Sequence, residues 1–214
     1  MRLLLARHGN TFDPGDPVVW AGSQNDLPLV AKGVEQARVL AGVLRDSQII
    51  PKAIYCGPLR RTRNYADIII QQLALFVLPQ VDLRLNEIDY GDWTGRTQAE
   101  VAQQFGEAGM KSWEERSVWP ECGNWGGSEA QTLTEVHAFA QELVKEYCDQ
   151  DTVLIVSSNG RLRYFLDLVE GEWARRKENG TFKVKTGNLC QMDYFAGKFN
   201  VRFWDQKPAA LNSN

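Results

Sequence analysis

The chain has 214 residues, 43% of them hydrophobic and 24% charged, which excludes disordered and fibrous classes and allows one sizeable core. Its 24 Lys and Arg against 27 Asp and Glu give a formal net charge of -3. That balance argues against a broad nucleic-acid surface, and two histidines are too few for a multi-histidine metal site.

In chain order, residues 2–6 (RLLLA) read as a short buried strand, too brief for a secretory signal core. Gly33–Leu44 places Val34, Ala37, Leu40, Ala41 and Leu44 on one helical face. Ala53–Cys56 is a second strand, and after Gly57-Pro58 a helix is expected up to Leu73. Ser128-Glu-Ala-Gln131 has the form of a capping box opening a helix to about Tyr147. The run 153–157 (VLIVS) is a third strand, and 188–194 with 200–204 form a final hairpin-like pair.

Alternating strands and helices predict an α/β fold: a three-layer α/β/α arrangement with a mostly parallel central sheet in a single domain, 1–214. Residues 88–127 break the rhythm and hold Trp93, Trp113, Trp119 and Trp125. They are expected to form an irregular Trp-rich cap insertion, either a satellite core or a cap that shapes a pocket. Cys56, Cys122, Cys148 and Cys190 form no CxxC pair, and no apolar run approaches a membrane span. The expectation is a cytoplasmic protein with reduced thiols and no membrane or nucleic-acid partner.

Three predicted strands end in polar loops: Arg7-His8-Gly9-Asn10-Thr11, Gly57-Pro58-Leu59-Arg60-Arg61 and Ser158-Asn159-Gly160-Arg161. In open α/β sheets ligands sit outside the carboxyl ends of the strands, so these loops are expected to converge. Arginine forks suit phosphoryl oxygens, and a neutral imidazole can attack phosphorus to give a phosphohistidine. His8 between Arg7 and Arg61 is the expected centre of such chemistry.

The segment Leu3–Thr11, LLLARHGNT, resembles the signature of the histidine phosphatase superfamily, in its phosphoglycerate mutase-like branch. Further matches follow in order: Asp26-Leu-Pro-Leu29 with Gly33-Val-Glu-Gln36-Ala37, then Tyr55–Ala66, then Leu85–Gly95. The resemblance implies that His8 accepts the phosphoryl group, that Arg7 and Arg61 clamp it, and that Glu87 is the general acid/base. It places Asn10 and Thr11 in the anion-binding turn, and Gly22 and Ser23 against the substrate. A small phosphorylated metabolite is the implied ligand, without metal or organic cofactor. A paired edge strand makes a homodimer easy to form.

One departure stands out. Where the family carries a second histidine, in a segment like Val-x-His-Gly-x-x-x-Arg, this chain has Ser158. Losing one electrostatic donor typically costs on the order of 10²–10³ in rate, and Ser158 and Asn159 offer neutral donors in its place. The expected function is a phosphoryl-transfer enzyme, a phosphomonoester phosphatase or a phosphoglycerate mutase-like isomerase. The alternative is a catalytically impaired relative that binds a phosphorylated ligand in a regulatory role. A serine hydrolase using Ser158 is disfavoured, because Val156 stands where the G-x-S-x-G elbow needs its first glycine.

Overall fold

Strand β1 (Arg2–Arg7) buries Leu3 to Ala6 completely and lies inside a six-stranded sheet. The computed structural model describes residues 1–213. The other strands are β2 (Ala53–Cys56), β3 (Gln80–Val81), β4 (Thr152–Ser157), β5 (Leu189–Phe195) and β6 (Lys198–Gln206). Their spatial order is β3-β2-β4-β1-β5-β6. The first four in that order run parallel, and β5 and β6 are antiparallel. The final hairpin and the three earlier strands thus lie where the hydrophobic runs predict them.

Period-2 alternation sends each strand's side chains to two different helix layers. Leu4, Ala6, Leu154 and Val156 pack with α1 (Ala31–Asp46) and α2 (Arg60–Gln72). Leu3, Leu5, Val153 and Ile155 face the opposite way, toward α5 (Glu129–Glu146). In α1 the buried stripe is Gly33, Ala37, Leu40, Ala41 and Leu44; Val34 is only half-buried. Ser128 caps α5, its hydroxyl accepting from Gln131 N at 3.1 Å. The reciprocal half of the expected box is missing, because the Gln131 amide turns to Glu135 Oε1 at 2.9 Å.

The 88–127 segment differs from the expectation of irregularity. It contains α3 (Gln98–Phe105) and α4 (Glu107–Arg116), and a complete capping box of Thr97 and Glu100 opens α3. Neither is it a satellite core. Trp93 and Trp113 are buried in the same cluster as Leu3, Leu5 and Ile155. After β4 the chain forms one helical turn, α6 (Asn159–Leu162), then a 3-10 stretch over Arg163–Leu168 and α7 (Glu172–Glu178). No helix among the described residues is long and apolar enough to cross a membrane.

Candidate active site

Because β1, β4 and β2 are parallel neighbours in register, their carboxyl ends coincide. Arg7 pairs with Ser157 and Cys56 with Val156, and His8 N continues the ladder to Ser157 O at 3.1 Å. The three polar loops therefore emerge side by side. Above them opens a cavity of about 590 Å³, lined among others by Arg7, His8, Arg61, Glu87, Tyr90 and Asn159.

His8 is 5% exposed, and its Nδ1 lies 2.8 Å from Gly9 O. A carbonyl oxygen can only accept, so Nδ1 carries the proton and Nε2 keeps its lone pair. Burial pushes the imidazole well below its usual 6.5, and the charges of Arg7 and Arg61 push in the same direction. The ring is thus a neutral, oriented base at neutral pH.

Both flanking arginines are fixed by peptide carbonyls rather than by carboxylates. Arg7 Nη1 donates to Val184 O at 2.7 Å, while its buried Nε has no partner. Arg61 is 2% exposed and donates from Nη1 to Asn25 O and from Nη2 to Gly22 O, both at 2.8 Å. Arg60, its neighbour, is exposed, and its peptide N–H bonds Asp26 Oδ1 at 2.6 Å. Such buried cations without a carboxylate partner are suited to an anionic ligand.

Glu87 reaches the cavity from the far end of a short chain of contacts on β4. Ser157 Oγ donates to Leu85 O at 2.7 Å, and Arg161 Nε to Asn86 O at 2.9 Å. Arg161 itself is anchored by Glu135 Oε2 at 2.7 Å. The Glu87 carboxylate accepts the peptide N–H of Ile88 at 2.9 Å and of Gly160 at 3.3 Å. A Cβ on Gly160 would stand 2.2 Å from Glu87 Oε1, so only glycine permits this approach.

Arg7, His8, Asn10, Thr11, Gly22, Arg61, Glu87 and Asn159 all line the cavity; Ser23 and Ser158 do not. Ser23 instead holds the Glu87 segment, donating its N–H to Ile88 O at 3.0 Å. Ser158 is fully buried and its hydroxyl has no partner. Asn159 Oδ1 accepts Val184 N at 2.8 Å, which aims Nδ2 the other way. Asn10 is tied by Thr186 Oγ1 at 2.9 Å and by Gln36 Oε1 at 2.8 Å. His137 is away from the cavity, paired with Asp167 Oδ2 at 2.8 Å.

Sequence reasoning missed Tyr90, Gly160, Gln36, Thr186 and Arg163. Arg163 is 1% exposed, with its guanidinium carbon 4.4 Å from the Trp113 ring centre and 4.9 Å from that of Phe182. Gln36 stands in a stretch that carries a helical face and a family match but no assigned role; Thr186 carries no local signal. The cap's four tryptophans do not face the cavity either. Among tryptophans it is Trp20, from the loop after Thr11, that lines it, and the cap contributes Tyr90, Gln98 and Glu114.

Residues 3–207 match the family described as the histidine phosphatase superfamily (branch 1). The chain belongs to that family. Within it, the adenosylcobalamin/alpha-ribazole phosphatase of Escherichia coli is 26% identical over 197 residues, 86% of this chain and 89% of that one. A 2,3-bisphosphoglycerate-dependent phosphoglycerate mutase of Bifidobacterium longum is also 26% identical, but over 56% of this chain and 48% of its own. The fold is shared with a mycobacterial glucosyl-3-phosphoglycerate phosphatase solved with VO3, at a TM-score of 0.81 and 24% identity. That match covers 96% and 99% of the two chains. The histidine phosphatase family is one of enzymes, and the α/β architecture is the family's.

Proposed function

We propose that the protein is a phosphomonoester hydrolase working through a phosphohistidine at His8. The observation that carries the reading is the His8 tautomer: Nδ1–H is committed to Gly9 O, which leaves the Nε2 lone pair as nucleophile. Nε2 attacks phosphorus, the P–O ester bond breaks, and the departing alkoxide takes its electron pair and a proton from Glu87. Water then attacks the phosphohistidine and gives its proton to the Glu87 carboxylate, the P–N bond breaks, and the imidazole regains its lone pair. Arg7 and Arg61 offset charge on the equatorial oxygens. Asn159 Nδ2 supplies a neutral donor where the family pattern has an imidazole, a part that the enclosed Ser158 hydroxyl is badly placed to play.

Hydrolysis is favoured over mutase chemistry by the extent of the likenesses. The Escherichia coli phosphatase aligns along 86% of this chain at 26% identity, and an alpha-ribazole phosphatase of Shigella flexneri has the same fold at 27% identity, whereas phosphoglycerate mutases of Bifidobacterium longum and Afipia carboxidovorans align along 56% and 78% of it. The test is rapid-quench labelling with a ³²P phosphomonoester. Acid-labile label on the wild type, lost in His8→Ala together with turnover, is expected; equal turnover by the two proteins sinks the assignment.

A second reading, a phosphate-binding relative without turnover, is favoured by the burial of Ser158 away from the cavity. Calorimetric binding of phosphate with no phosphoenzyme at any time point would select it.

A further inference from the structure

Only part of the cavity wall has anything to offer a phosphate. The loop from Phe12 to Ala21 forms another part of the wall, and its chemistry is different. Phe12, Val18, Val19 and Trp20 give it an apolar face, with Val18 64% exposed toward solvent. Asp13 and Asp16 stand on the same loop, and Glu114 of α4 completes the rim. Glu114 is neutralised by Lys183, and the remaining cation of the lining besides Arg7 and Arg61 is Lys32 of α1. This part of the wall therefore carries more negative than positive charge.

That wall is built rather than loose. Trp20 N donates to Arg96 O at 2.9 Å, and Gly95 N to Trp20 O at 2.8 Å. The Trp20 ring meets Tyr90 edge-on at 5.2 Å and Trp93 at 5.1 Å. Asp16 Oδ2 accepts Asp13 N at 2.8 Å, fixing the turn between them. A volume of about 590 Å³ lies within the range of pockets that enclose a whole small organic molecule.

We propose that this cavity takes phosphate monoesters whose leaving group is bulky, presents an apolar or aromatic face, and bears no second negative charge. The proposal rests on the hydrolase reading for its phosphate end, and it names the ligand class of that same site. A flat or branched apolar group covers Val18, Val19 and Phe12 and releases their hydration water. A carboxylate or second phosphate at that distance meets Asp13 and Asp16, a like-charge contact in a partly enclosed space. Phosphorylated small acids and bisphosphates are thus disfavoured by the wall itself.

Binding is read by calorimetry with phosphonates, which have no P–O ester to cleave, so the outcome does not depend on turnover. In the wild type, 1-naphthylmethylphosphonate is expected to bind at least about tenfold more tightly than 3-phosphonopropionate. Val18→Asp and Asp13→Lys, both at exposed positions, are each expected to shrink that ratio several-fold, the first by weakening the aryl ligand and the second by strengthening the acid. Equal affinities, the reverse order, or no measurable binding of either ligand overturns the proposal. So does a ratio that neither substitution changes. A missing phosphohistidine with the preference intact sinks the catalytic reading alone; a labelled His8 with the reverse preference sinks the ligand class alone.

Discussion

His8 shares its burial with two guanidiniums, and all three effects disfavour a proton on its ring. An unfolded imidazole titrates near 6.5, whereas the folded one does so well below. Between those two values the unfolded chain binds a proton that the native chain does not, so stability falls as pH falls through that window. Above the window His8 adds no slope. Urea unfolding of wild type and His8→Asn from pH 5 to 8 checks this. The stability difference between them is expected to be flat above about pH 7, and below about 6.5 the wild type loses up to about 1.4 kcal/mol per pH unit relative to the variant. A constant difference across the range would show an unperturbed imidazole. At this scale the sequence is legible where polar residues end a buried run. His8, Arg7 and Arg61 stand out because a buried strand ends in cations. Gly160 and Thr186 do not, because what they do depends on backbone brought from elsewhere in the chain.

Helix α1 shows how one element can hold two glycines of opposite meaning. A Cβ on Gly33 would stand 2.2 Å from Asn10 O, so α1 packs directly on the backbone of the His8 loop. A Cβ on Gly42 would meet nothing nearer than the flexible Arg45 guanidinium at 3.8 Å. Gly42→Ala is expected to stabilise by about 0.5–1 kcal/mol, through helix propensity. Gly33→Ala is expected to destabilise by about 1–3 kcal/mol and to displace the His8 loop. Thermal melts of the two variants, with opposite shifts in Tm, check the pair. Helix propensity alone predicts the same sign for both. The stripe of α1 and the Ser128 cap of α5 are legible from spacing, but the contact that makes Gly33 obligatory is with Asn10, 23 residues away along the chain. Similarly, α3 and α4 are masked in composition, because the Trp and Gly content around them has the character of a loop although the Thr97–Glu100 box is present.

Across the whole molecule, the aromatic network joins the cap to the sheet. Trp125 lies 5.0 Å from Trp93 and 4.7 Å from Trp113, and both of those belong to the cluster that covers β1 and β4. Arg163 reinforces the junction, donating to Asn159 O at 3.2 Å and to Ser117 Oγ at 3.2 Å while stacked on Trp113. The cap is therefore expected to unfold with the sheet and not before it. Tryptophan fluorescence and far-UV circular dichroism should give coincident urea transitions, and Trp113→Ala should lower both together by about 3–5 kcal/mol. An earlier fluorescence transition would mean a separately melting cap. The alternation of strands and helices made the α/β layers legible, because it is a local pattern repeated along the chain. The position of the cap was not, since composition reports that tryptophans are buried and not against what.

The strand order has a consequence for how the protein comes into being on the ribosome. Strand β1 is made first, yet its neighbours are β4 and β5, and Arg2 waits for Thr152, 150 residues later. At about 5–20 residues per second that wait is on the order of ten seconds, spent with an apolar N-terminal segment unpaired. Through that interval His8 is an ordinary solvated imidazole on a nascent chain. The surroundings that strip His8 of its proton are assembled only after β4 has been synthesised and paired with β1.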